Sequence, residues 1–347
     1  MNDRVERLRA TLEEPLLVSA GGNVRYLTGF SSSNAAVLVE PERLRVFSDF
    51  RYSSAGKALE REGLEFVEVS RNLYAGLAEL LEGRIAFEDT AVTYAEYQTL
   101  AAASLEPVPR RGLVEALRAV KDENELEAIR VASAITSEAY QRFSQERFTG
   151  RTERDLAWRL DELFHELGAK GPAFETIVAG GPNSALPHGR PTDREIQPGE
   201  TVVIDAGALA DGYCADCTRT FVTGPLPERL QDAYDTCLRA QQAGLDGVRS
   251  GATGVDADAV ARAVIEEAGF GEHFGHGLGH GVGIEVHEAP RLSKTSDDTL
   301  APGNVVTVEP GIYLAGEGGV RIEDLVVVTQ DGPEILTSFT KELVTVD

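Results

Sequence analysis

The 347 residues carry a net charge of −24, with an ordinary share of apolar residues and no low-complexity tract. That sign excludes nucleic acid and anionic membrane surfaces as partners, because both repel a strongly acidic protein. The length exceeds what one hydrophobic core usually fills and predicts two domains.

The N-terminal stretch MNDRVERLRATLEE is polar and lacks the apolar centre of a signal peptide. No run of about 18 apolar residues follows, so no spanning helix is expected. Three cysteines, Cys214, Cys217 and Cys237, are too few for a disulfide framework, and a cytoplasmic location is expected. The runs PLLVSA, AAVLV, LRVFSD, EFVEV and RIAFED predict strands, with helical patterns between them at 50–61, 72–82 and 94–104. YLTGFSSSNAAVL (26–38) predicts a turn leading into a strand. Together these runs describe an α/β domain with a mixed sheet.

From Arg118 the texture changes. RAVKDENELEAIRVASAITSEAYQRF repeats apolar residues at three and four and predicts a long amphipathic helix. TERDLAWRLDELFHEL predicts a second, with Thr152 and Asp155 as its capping pair. Two further helices are expected at 228–249 and 255–268. The boundary falls within 112–121, giving domains 1–117 and 118–347.

The second domain contains an internal repeat. PGETVVIDAG (198–207) and PGNVVTVEPG (302–311) align without gaps and place Asp205 over Glu309. Each strand ends on a carboxylate and is followed by a return strand bearing another, Asp216 in the first copy and Glu323 in the second. A hairpin centred between Ala210 and Asp211 would set Asp205 directly opposite Asp216, with Cβ atoms about 5 Å apart. Two carboxylates so placed, in apolar surroundings, repel unless a cation or a shared proton intervenes. Four converging carboxylates call for cations, and their combined charge of about −4 matches two divalent ions. Oxygen ligands with one imidazole favour manganese, cobalt, iron or zinc over a thiolate metal. Cys214 and Cys217 form a CxxC, but they lie in a strand-like run and read as core residues rather than a redox pair.

FGHGLGHGVGIEVHE (274–288) holds three of the six histidines and five glycines. A phosphate-binding loop is excluded, because G-x-G-x-x-G is absent and no strand leads into a helix there. If residues 280–287 are extended, His280 and His287 project to opposite faces. A bend or bulge must then bring both to one site.

The ordered set Asp205, Asp216, His280 in GHGVG, Glu309 in EPG and Glu323 in RIED, with PHGR at 187–190 and VHEAP at 286–290, resembles the pita-bread metallopeptidases. Within them it looks like the aminopeptidase P and prolidase branch, which cleaves Xaa-Pro bonds. The resemblance covers the whole chain and implies a creatinase-like N-terminal α/β domain before an α+β pita-bread catalytic domain with a pseudo-two-fold internal repeat. It implies that Asp216 and Glu323 bridge two metal ions. Asp205 would complete one ion's ligands, and His280 and Glu309 the other's. Glu309 would also exchange protons with the attacking water or the leaving nitrogen. By the same resemblance His188 and His287 contact substrate, and Arg291 suits a substrate carboxylate. Tyr313 and Arg321 would orient Glu309 and Glu323. His165, His273 and His276 read as structural. The resemblance further implies a small peptide substrate with proline second and a homodimer.

Methionine aminopeptidase shares the catalytic fold, but a separate N-terminal domain argues against it. Creatinase-type hydrolysis dispenses with the metal ligands, and a non-catalytic binding module would have lost them; all five are retained. Between the two Xaa-Pro activities, a dipeptidase must bind a carboxylate next to the scissile bond. Arginine matches that group best. Arg291 and, in the first domain, Arg25, Arg43, Arg45 and Arg51 are candidates. Their supply favours a dipeptidase, with an aminopeptidase acting on longer peptides as the alternative.

Overall fold

In the computed structural model, which describes residues 3–346, the chain divides into two compact units, Met1–Arg118 and Ala119–Asp347. The first unit is built on a six-stranded mixed sheet. Its strands run in the order Glu65–Glu68, Leu44–Ser48, Ala35–Val39, Leu16–Val18, Gly83–Glu88, Leu105–Arg110. Leu16–Val18, Ala35–Val39 and Leu44–Ser48 pair antiparallel, and the outer strands join them in parallel. Leu17, Leu38, Phe47 and Phe87 bury the sheet against Leu73, Leu77 and Leu100 of the helices. Five strands coincide with the five apolar runs. The sixth, Leu105–Arg110, was hidden by Pro107 and Pro109. Among the described residues it is an edge strand paired only with Gly83–Glu88, where a missing N–H need break no ladder bond.

Helices Ser53–Leu59, Leu73–Leu80 and Tyr94–Ala101 fall within the predicted ranges. Helix Gly21–Thr28 was not foreseen. Part of the expected turn is its last turn, closed by Gly29 at φ 70° with its N–H on Arg25 O. The long helix also begins later than expected. A short helix ends at Ala119, and Asp122 then caps Glu123–Phe143, with Glu125 reaching back in a reciprocal capping box.

The second unit is a duplicated pattern of two helices followed by three antiparallel strands. Helices Glu123–Phe143 and Glu153–Glu166 precede Ile177–Gly180, Thr201–Asp205 and Thr218–Val222. Helices Glu228–Gly247 and Gly254–Glu267 precede Gly279–Gly281, Val305–Val308 and Asp324–Val328. Strand alternation explains how each sheet serves two purposes. Val202 and Ile204 pack with Tyr140, Phe143, Leu160 and Phe164. Val306 and Val308 pack with Tyr234, Ala240, Ala261 and Ile265. Asp205 and Glu309, one residue further along, therefore project away from the helices, and both line one cavity.

The turn at Asp211 and Gly212 is the predicted one, but its centre lies one residue later. Both central residues have positive φ, 48° and 77°, as a two-residue type I′ hairpin requires. Ala210 pairs with Tyr213 and Asp205 with Thr218. Asp205 and Asp216 are consequently diagonal neighbours on one face, not directly opposed. In the second copy Val308 pairs with Asp324 and Gly311 with Arg321, so Glu309 and Glu323 are the facing pair between the two ladders.

Candidate metal centre

Atoms of Asp216, His280 and Glu323 lie within 4.8 Å of one another, near the span that ligands at about 2.1 Å from one ion can cover. His280 Nε2 stands 3.3 Å from Glu309 Oε1 and 3.7 Å from Asp216 Oδ2. Its Nδ1 faces Gly281 O at 3.1 Å; donation there leaves the Nε2 lone pair for a cation. Asp205 completes the group: Arg321 holds Oδ2 at 2.7 Å, while Oδ1 is buried without a partner. One oxygen is fixed and the other is free to ligate.

The carboxylates do not share one electrostatic state. Burial, then the charges of Glu323, Asp205 and Glu309, pushes Asp216 well above the usual carboxylate range. Burial and the charges of Glu309 and Asp205 do the same to Glu323. Burial also pushes Glu309 upward, but the His280 hydrogen bond and positive charge outweigh it and hold Glu309 at about 2. Burial draws His280 down, and the Glu309 contact more than restores it, for a net rise. Asp216 and Glu323 are thus pushed toward the neutral form, a tendency that positive charge at the site would reverse. The residues fit two divalent cations.

The expected bend is present. The ladder shifts register between His280 and Gly281, and the His280 and His287 rings approach to 4.4 Å between centroids. Gly279 lets the strand press against its neighbour, because a Cβ there would sit 2.0 Å from Thr307 O. Burial and the neighbouring His280 lower the pKa of His287.

A cavity of about 630 Å³ gathers the five expected ligands with His188, His287, Arg291, Tyr313 and Arg321. It also includes His276, which had read as structural. His276 Nε2 meets Tyr313 OH at 2.9 Å, and Arg321 donates to the same hydroxyl at 3.0 Å. Burial raises Tyr313 to about 12, against the pull of Arg321. Arg321, expected with Tyr313 to orient Glu309 and Glu323, has Asp205 as its direct carboxylate partner. Arg321 sits beside strand Thr218–Val222, with its N–H on Thr220 Oγ1, so its guanidinium reaches Asp205. It reaches Glu323 only through Thr218, whose hydroxyl accepts from Arg321 Nε at 3.0 Å and donates to Glu323 at 2.7 Å. Thr218 carried no sequence signal beyond its position two residues after Asp216. The cysteines are buried, as core residues should be.

Three of the four candidate arginines of the first unit are engaged within that unit. Arg43 and Arg45 pair with Glu40, and Arg51 with Asp49; Arg25 also has a partner. Among the described residues no helix is long and apolar enough to cross a membrane.

Comparison with known proteins agrees with this geometry. Residues 127–330 match metallopeptidase family M24, and residues 4–120 match the creatinase/prolidase N-terminal domain. An uncharacterized peptidase of Bacillus subtilis, YqhT, is 38% identical over 335 residues, 95% of each chain. The structure of a Xaa-Pro dipeptidase from Bacillus anthracis superposes with a TM-score of 0.93 at 36% identity, covering 99% of both chains. That of an X-Pro aminopeptidase from Thermotoga maritima gives 0.88 at 36% identity, covering 99% of this chain and 100% of the other.

Proposed function

The chain belongs to metallopeptidase family M24, and from that footing we propose that it is a metal-dependent Xaa-Pro peptidase that prefers dipeptides. Two bound divalent cations, manganese foremost with cobalt, zinc or iron as alternatives, would supply Lewis acidity toward the scissile carbonyl and acidify a water. Asp216 and Glu323 would be shared between them, with Asp205 holding one and His280 and Glu309 the other. Glu309 takes the proton released by the attacking water and carries it to the proline nitrogen as that nitrogen leaves. His188 and His287, on the cavity wall, bind the substrate and donate toward the carbonyl oxygen as it gains charge. The enzyme is proposed to act as a cytoplasmic homodimer.

The dipeptide preference rests on Arg291. It lines the same cavity, and its guanidinium makes no hydrogen bond or ion pair among the described residues; its backbone N–H is the group that Asp298 holds. A cation left without a protein partner beside the site suits a carboxylate brought by the substrate. In a Xaa-Pro dipeptide that carboxylate lies one residue beyond the scissile bond.

Initial rates on Ala-Pro and Ala-Pro-Ala, with manganese and after chelation, test the proposal. Ala-Pro is expected to be cleaved faster, and chelation to abolish both activities. Faster cleavage of Ala-Pro-Ala would assign an aminopeptidase instead. Activity that survives exhaustive chelation would refute the metal mechanism.

A further inference from the structure

The PHGR segment that carries His188 lies in residues 180–192, between strand Ile177–Gly180 and the run leading to Thr201–Asp205. Short 3-10 structure covers Gly181–Ala185 and the rest is irregular. A loop of this kind keeps a side chain in place only if something outside it holds its ends.

Glu153, the first residue of helix Glu153–Glu166, is fully buried. Its Oε1 accepts the N–H of Gly180 at 2.8 Å. Its Oε2 accepts Asn183 Nδ2 at 2.9 Å, Thr192 N–H at 2.9 Å and Thr192 Oγ1 at 2.6 Å. All four donors belong to the loop, at its beginning and its end. The helix start adds reciprocal contacts: the N–H groups of Glu153 and Arg154 donate to Arg194 O and Thr192 O, each at 3.1 Å. Those are first-turn donors that a helix cannot satisfy internally. Arg194 is hydrogen-bonded to Glu200 and not to Glu153, although its charge also acts on Glu153. The buried carboxylate is held directly by its four donors and by the helix N-terminus. Between the two clamped ends, Arg321 donates to Pro187 O at 3.1 Å, next to His188. Gly319 N–H donates to Ser184 Oγ at 2.7 Å.

We propose that Glu153 is a positioning residue for substrate: by clamping both ends of the 180–192 loop it sets His188 at the cavity wall. This inference rests on the substrate-contacting role given to His188 above. Glutamine would fit the space of Glu153 poorly in hydrogen-bonding terms, because its amide N–H₂ must face fixed N–H donors.

The test is a double-mutant cycle on kcat/KM for Ala-Pro, with Glu153→Gln and His188→Ala made singly and together in the metal-loaded enzyme. His188→Ala is expected to lower kcat/KM about 100-fold, in line with loss of one contact to the reacting carbonyl. Glu153→Gln is expected to cost about tenfold alone and nothing further in the His188→Ala background. Hydrogen exchange should speed up at amides of 180–192, with two metal equivalents still bound. An equal tenfold loss in both backgrounds would make Glu153 a general stabiliser and overturn the inference alone. So would a folded Glu153→Gln enzyme of full activity. Unchanged activity in His188→Ala would overturn the role of His188 and this inference with it. If Glu153→Gln does not fold, Thr192→Val removes one hydroxyl donor and keeps the backbone contact. A loss of about threefold that vanishes in the His188→Ala background supports the clamp; one that persists there refutes it.

Discussion

Replacing Thr218 with valine isolates what holds Glu323, a proposed metal bridge, before any cation arrives. The side chains are similar in volume, so the perturbation is the loss of one buried hydroxyl. That hydroxyl donates to Glu323 at 2.7 Å and accepts from Arg321 Nε at 3.0 Å. All three residues are buried. Arg321 keeps its bonds to Tyr313, Pro187 O and Asp205, whereas Glu323, pushed toward its neutral form without metal, loses a hydroxyl donor. A neutral bond contributes about 0.5–1.5 kcal/mol and one to a charged group about 1.5–3, with the Arg321 contact partly redundant, so the metal-free variant should be less stable by about 1–3 kcal/mol. For a unit of this size that lowers Tm by roughly 2–12 °C. With Glu323 no longer held, metal affinity should fall about 10- to 100-fold. Scanning calorimetry without metal and a manganese titration read the two effects. A variant that melts within about 1 °C of the parent and binds manganese equally well would refute the role given to Thr218.

Removing the Arg291 guanidinium in Arg291→Ala should raise KM for Ala-Pro at least about tenfold while leaving Ala-Pro-amide hydrolysis unchanged, since only the free carboxylate loses its partner; equal losses on both substrates would refute carboxylate recognition. The pH dependence of the metal-free protein has a definite sign. Asp216 and Glu323 are raised in the folded state, so between the usual carboxylate range and their raised values the folded chain holds more protons than the unfolded one. Their contribution to stability is therefore lost as pH rises through that window. Glu309, held at about 2, acts oppositely, but its stabilising effect is already complete once pH exceeds the usual carboxylate range. The denaturation midpoint of the metal-free protein should accordingly fall from about pH 5 to 7, and manganese should abolish the slope while releasing protons, measurable by titration calorimetry in two buffers. A metal-free midpoint that climbs over that interval would contradict the assignment.

The gathering of the four carboxylates in one cavity was legible because its chemistry is local, whereas His280 entered through the family resemblance. A strand that ends on a carboxylate, repeated at a fixed offset, needs no tertiary information to look costly without a cation. The need for a bulge at His280 was legible for the same reason, since alternation is a property of the backbone. The hairpin register was misplaced by one turn residue, although Asp211-Gly212 are themselves the central pair of a type I′ turn. That single shift hid Thr218 behind Asp216. His276 could not be assigned because its partner Tyr313 is 37 residues away, in a strand whose packing the local sequence does not specify. Glu153 shows the limit most clearly: in sequence it is an ordinary first-turn acid, and its four donors come from a loop 27 to 39 residues further on.

The duplication is imperfect at the place where it matters. Asp205 faces Thr218, whereas Glu309, its counterpart in the repeat, lies opposite Glu323. Counted from those facing positions, Asp216 of the first copy corresponds to Arg321 of the second. The mismatch makes the copies complementary: Arg321 of the second holds Asp205 of the first, and Thr218 of the first holds Glu323 of the second. Each half has one carboxylate, Asp205 in the first and Glu323 in the second, that depends on a donor from the other. Cation binding must therefore act on the docking of the two halves, and metal affinity becomes part of the folding free energy of the second unit.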